Sequence, residues 1–145
     1  MLLRRTAWAP IAVLIAHQVL SRSAYRQPLD FAMHFSGGVA IAYFLYHALG
    51  LFGPVFGEVR AAGRYLFSFA LACMIGLFWE FAELFSDVFL KTRIQRTIAE
   101  TMRDLIADTT GAALSLSLIG IVSVVLRRRH TQARRQAART SSSRV

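Results

Sequence analysis

The stretch FWEFAELFSDVF, residues 78–89, decides how the chain is read. Its aromatic and aliphatic side chains belong in an apolar environment, yet Glu80, Glu83 and Asp87 interrupt it at i, i+3 and i+7. That spacing puts all three acids on one face of an α-helix. A charge exposed to lipid at mid-membrane costs about 2.5–3.5 kcal/mol on insertion scales, so such a stripe turns toward protein, trapped water or a partner charge. The stretch predicts a membrane helix whose single polar face lines an interior site.

The rest of the chain agrees with a membrane setting. Of its 145 residues, 55% are hydrophobic and 17% charged, with a mean hydropathy of +0.45, which is not the make-up of an ordinary soluble domain. The net charge of +9 resembles a nucleic-acid signal, but seven of the seventeen Lys and Arg residues lie after Leu126. Those arginines have no interleaved aromatics and match no nucleic-acid-binding motif, so nucleic acid is excluded as the expected partner. A polybasic segment following a membrane helix instead orients the chain and meets anionic lipid head groups, at about 1 kcal/mol per basic residue. The single Cys73 permits neither an internal disulfide nor a cysteine zinc site and reads as a packing residue.

Four apolar segments, at about 6–21, 31–53, 65–89 and 104–126, predict an all-α, polytopic four-helix transmembrane bundle over residues 1–130, followed by a disordered basic tail at 131–145. The first has sixteen uncharged residues between Arg5 and Arg22, short of the ~20 needed to cross the bilayer, and flanking arginines can snorkel to make up the difference. Its opening, LLRR before an apolar run, also suits a signal peptide, but no clear small-x-small site follows. GPVFGEVRAAGR, residues 53–64, is turn-rich, and KTRIQRTIAETMR, residues 91–103, is a basic loop that can form an interfacial helix. With four spans, eleven Lys and Arg fall on the side of the two termini and six on the other. The positive-inside rule then places both termini in the cytoplasm of a bacterial inner membrane.

That orientation sends the third helix outward from Arg64, with Glu80 about 24 Å along it and Asp87 about 34 Å along it. Asp30 and His34 open the second helix at i, i+4, and Glu100, Asp104 and Asp108 open the fourth at i, i+4, i+8. Three segments distant in sequence deliver one-sided polar stripes to one depth. Gly37, Gly38, Gly111 and Ala112 lie within a turn of those stripes and permit close helix approach. The candidate site is therefore Asp30, His34, Glu80, Glu83, Asp104 and Asp108, facing outward, with Glu80 and His34 at its functional centre. One imidazole among carboxylates suits a divalent cation such as Mg, Mn or Zn. Four of the acids also have a plainer role open to them, Asp30 as a helix N-cap, Asp104 and Asp108 as first-turn acids and Asp87 as a solvated interfacial group, whereas Glu80 is deep and has no such local role. His17 and His47 lack acidic neighbours at helical spacing and read as packing or interfacial residues.

The order DFAMHFSGG, WEFAELFSD and RDLIADTTG, spanning about residues 28–115, resembles the YjdF-like family of small bacterial integral membrane proteins of unknown function. More loosely it resembles VanZ-like proteins, which share an Asp and His opening one helix, a Glu on the next, and an Arg-Asp segment opening the last. The chain departs from the VanZ pattern at Thr109 and Thr110, where Asn is frequent, and at the Glu80–Glu83 pair, where Gln is frequent. The resemblance implies a membrane bundle and no established activity. Three function classes follow: a metal-dependent protein acting on a lipid-linked or envelope substrate, a small transporter or proton-coupled carrier, and a non-catalytic envelope or assembly protein. No HExxH motif is present, and oligomerisation stays open.

Overall fold

The computed structural model describes residues 6–20, 26–51, 57, 59–95 and 97–142. They form four helices: α1 (Trp8–Leu20), α2 (Arg26–Leu51), α3 (Ala61–Leu90) and α4 (Ile98–Ser142). Most of the turn-rich connection expected at 53–64 lies outside the described residues, and α3 already begins at Ala61. The all-α bundle is as the sequence predicts. Among the described residues, two helical segments are long and apolar enough to cross a membrane, Ala61–Leu90 and Ile98–Ala133, while α1 is apolar but only 13 residues long.

The bundle is built inside out relative to a soluble protein. Its interior is made of small residues, among them Ala42, Ala72, Ala107, Ala112, Ser68 and Ser115, while Phe67, Phe78, Phe85, Ile106, Leu118 and Ile121 are exposed. Small interior side chains let helix backbones approach closely, the packing that replaces the hydrophobic effect where lipid is the solvent. Tyr46 and Leu116 are the large members of this core. Beside them, at the start of α3, the Arg64 guanidinium lies 4.2 Å from the Tyr46 ring centroid and donates to its hydroxyl at 2.7 Å, joining a cation–π contact to a hydrogen bond.

Two boundaries differ from the expectation. α4 starts at Ile98, so only part of 91–103 is a loop, and it continues as a helix to Ser142 where a disordered tail was expected from 131. The composition explains the second difference. QARRQAAR is rich in strong helix formers, and because it extends an existing helix it bears no nucleation cost. At the other connection, Lys91 adopts the left-handed conformation (φ 56°, ψ 30°) and ends α3. Asp87, expected as a solvated interfacial group, then ties the loop down. Its carboxylate accepts the backbone N–H groups of Ile94 and Gln95, each at 2.8 Å, and the Thr92 hydroxyl.

α4 packs along α2 and α3, whereas the backbone of α1 approaches α2: no Cα of Trp8–Leu20 lies within 8 Å of one in α3 or α4, and the His17 side chain reaches Trp79 on α3. The α2–α4 contact depends on two glycines. A Cβ at Gly38 would overlap the Asp108 carbonyl, and one at Gly111 would overlap the Phe35 carbonyl. The polar stripes of three helices meet where these backbones come together.

Candidate metal centre

His34 lies two turns into α2, Glu80 two thirds of the way along α3, and Asp108 in the third turn of α4. All three are buried, Glu80 at 3% and His34 at 6% exposure. His34 Nδ1 stands 3.2 Å from Asp108 Oδ2 and 3.7 Å from Glu80 Oε1. One ligand atom from each residue falls within 4.8 Å of the other two. Donors that share a tetrahedral ion at ~2.0–2.2 Å are separated by roughly 3.4 Å, so two of the three edges are already close to that geometry.

Glu80 is held by a second group that leaves one of its oxygens directed inward. Gln95 donates from its amide nitrogen to both the Glu80 carbonyl and Glu80 Oε2, each at 2.9 Å, while the buried Oε1 accepts no hydrogen bond. Gly76 on α3 makes room for Asp108: a Cβ there would lie 2.8 Å from Oδ2. His34 Nε2 makes no hydrogen bond, but Asp30 Oδ1 faces it at 4.0 Å. His34 Nδ1 is hydrogen-bonded with Asp108 Oδ2, and a tautomer protonated at Nε2 would turn the Nδ1 lone pair toward an ion instead. The donor set, the inward-facing orphan atom and the glycine seat together fit a divalent cation. The buried His34, Glu80 and Asp108 cluster is capable of coordinating one.

The remaining expected site residues divide into two groups. Asp30 and Asp104 lie at the edge of the cluster, both bound by Arg103 on α4: Nη2 is 3.4 Å from Asp30 Oδ2, and Nε is 3.3 Å from Asp104 Oδ1. Glu83 is not among the three clustered residues; its Oε1 accepts the Trp79 indole N–H at 3.1 Å along the same helix. Gln95 carries no signal in the sequence, and His17, which reads as a packing or interfacial residue, packs on the rings beside the cluster. The His17 ring meets Trp79 edge-on, with centroids 5.1 Å apart, and lies 6.4 Å from the His34 ring. Nothing in the spacing of α1 points to that, because its neighbours come from other helices. Beside these rings a cavity of about 100 Å³ lies among the four helices, lined by Val13, Leu14, Ile41 and Ile75 and by the polar His34 and Asp108.

Residues 6–125 match a family described as "Predicted membrane protein (DUF2238)". The chain belongs to this family. The match runs through all four helices and includes every residue of the cluster. A Thermotoga maritima protein, named only as uncharacterized, is 36% identical over 83 residues, which make up 57% of this chain. The chain spans less than half of that relative's length, 42%. Neither description carries a YjdF or VanZ label. No solved structure matches the chain. Family membership agrees with an integral, multi-pass membrane protein and adds no activity.

Proposed function

We propose that this protein carries an outward-facing divalent-metal centre in the bacterial inner membrane and acts there on a lipid-linked or envelope substrate. The observation that carries the reading is the approach of His34 Nδ1 to Asp108 Oδ2 and Glu80 Oε1 at 3.2 and 3.7 Å, with Glu80 Oε1 buried and accepting no hydrogen bond. An unpaired buried carboxylate oxygen is costly unless a cation or donor meets it. Two carboxylates and one imidazole form a donor set for Mn or Zn, and for Mg with added water. His34, Glu80 and Asp108 would hold the ion. Asp30 would orient His34, Gln95 would hold the outer oxygen of Glu80, and Arg103 would keep Asp30 and Asp104 in place.

A bound divalent ion would supply Lewis acidity and an activated water at neutral pH. Four spans with both termini cytoplasmic would put the centre in the outer third of the bilayer, and the basic end of α4 among anionic head groups.

A second reading, a proton-coupled carrier, draws on the same contacts, because an imidazole touching several carboxylates can also hold and pass a proton. Metal analysis of the purified protein beside Glu80→Gln separates the two. The metal reading expects a stoichiometric ion that the variant loses. Wild-type protein that binds no divalent ion after loading and dialysis would favour the proton carrier.

A further inference from the structure

We propose that the end of the bundle opposite the His34, Glu80 and Asp108 cluster holds an anion site, in which the Arg64 guanidinium, seated on Tyr46, takes a phosphate oxyanion. The site is independent of the metal reading. Arg64 precedes Glu80 on α3 by 16 residues, about 24 Å along the helix.

The charges of the chain are sorted by end. Seven of its eight Asp and Glu residues fall where α2 and α4 begin and α3 finishes, and the eighth, Glu58, lies outside the described residues. The opposite end, where α3 begins and the apolar part of α4 finishes, carries Arg60, Arg64 and Arg127. Arg127 is close enough for its charge to act on the Tyr46 hydroxyl. Arg64 forms no ion pair with a described residue.

The guanidinium is nevertheless firmly placed. Tyr46, buried in the small-residue core, holds it twice, with the ring centroid 4.2 Å from Cζ and the hydroxyl accepting from Nη2 at 2.7 Å. Tyr65 backs the Tyr46 ring, with centroids 4.7 Å apart. Gly50, one turn beyond Tyr46 on α2, makes the seat: a Cβ there would lie 2.6 Å from Nη1. The bond to Tyr46 is the one hydrogen bond the guanidinium makes with a described residue, and the buried Nε makes none. A neutral ring and hydroxyl fix the direction of the fork without cancelling its charge. A partly buried cation with N–H groups to spare is costly until an anion meets it. The planar fork matches two oxygens of a phosphate, and Arg127 adds a second positive charge. A lipid head group and a soluble phosphate offer the same chemistry, and the experiment separates them.

The test uses full-length protein stripped of lipid in maltoside detergent. Native mass spectrometry should resolve one dioleoyl phosphatidylglycerol that binds ahead of the rest. Its affinity should fall at least about tenfold in Arg64→Lys, which keeps the charge and loses the fork. Gly50→Ala, which displaces Nη1 and leaves Arg64 in the chain, should weaken binding in the same way, so a folding defect in one variant does not decide the result. Arg128→Gln removes an exposed charge of equal size and should change the affinity by less than about twofold. Inorganic phosphate is the second probe, read by its effect on the thermal unfolding midpoint. Arg64-dependent phosphatidylglycerol binding with no midpoint shift from phosphate assigns the site to a lipid head group. A phosphate shift that Arg64→Lys abolishes assigns it to a soluble phosphate. Lipid binding equally sensitive to Arg64→Lys and Arg128→Gln, with no phosphate shift, would make Arg64 a membrane anchor only and overturn the proposal. Tighter lipid binding in Glu58→Gln would make Glu58 the counter-ion of Arg64 and overturn it as well.

Discussion

His34 and Asp108, 74 positions apart in the chain, meet with 3.2 Å between Nδ1 and Oδ2. The approach is possible because Gly38 and Gly76 leave room for the Asp108 backbone and carboxylate. Asp108→Asn keeps the size of the side chain and removes its charge. Divalent-ion affinity should fall more than about 100-fold, beyond the 10–100-fold typical of outer-shell changes. The melting temperature in detergent should hold or rise, because one of several crowded acids is neutralised. Isothermal titration and thermal unfolding on the same preparation check both halves. A loss of stability in step with affinity would make Asp108 a packing residue.

Gly37 and Gly38 are adjacent but should respond oppositely to alanine. At Gly37 the new methyl would lie at an ordinary 3.6 Å from Asp108 Oδ1, whereas at Gly38 it would meet the Asp108 backbone. Gly37→Ala should be neutral, or stabilising by up to about 1 kcal/mol through helix propensity. Gly38→Ala should cost about 1–3 kcal/mol by forcing α2 and α4 apart. Thermal unfolding decides, and equal effects would contradict the close α2–α4 approach.

Gln95 should tune the ion without supporting the fold. Its amide holds Glu80 Oε2, and its own position depends on Asp87 binding the loop backbone. Gln95→Ala should lower divalent-ion affinity about 10–100-fold, the usual effect of losing an outer-shell partner. Asp87→Ala should do the same from a distance, by releasing the loop. If either variant binds metal like the wild type, Glu80 is positioned by something else.

Much of this arrangement is legible in the sequence and some is not, for reasons that differ by residue. The one-face spacing within 30–34, 80–87 and 100–108 is a local property, and so is the glycine content beside it. Those elements suffice to predict that His34, Glu80 and Asp108 point inward at one end of a bundle. The three-dimensional choice among six polar candidates is not local. Glu83 turns to Trp79 on its own helix, while Asp30 and Asp104 share Arg103, and helical spacing cannot separate these outcomes from ligation. His17 comes beside the cluster only through the packing of α1 on its neighbours, and Gln95 reaches Glu80 only through the loop that Asp87 folds. The full length of α4 is not legible because its polar end offers no apolar stripe, while its alanines and arginines continue a helix already formed.

Membrane orientation is open to labelling. In a Cys73→Ala background, an impermeant thiol reagent added to intact cells should reach a cysteine at Arg93, in the connection between α3 and α4, and not one at Gln136 beyond the apolar part of α4. The expectation follows from the excess of basic residues on the terminal side. The reverse pattern would turn the cluster toward the cytoplasm and remove the envelope substrate from the account.

The central claim is tested most directly by anomalous diffraction from the Mn2+-loaded protein. The account predicts one strong peak at about 2.0–2.3 Å from His34 Nδ1, Glu80 Oε1 and Asp108 Oδ2, with Gln95 still on the outer oxygen of Glu80. A peak elsewhere, or none with His34 hydrogen-bonded to the two carboxylates, would contradict it.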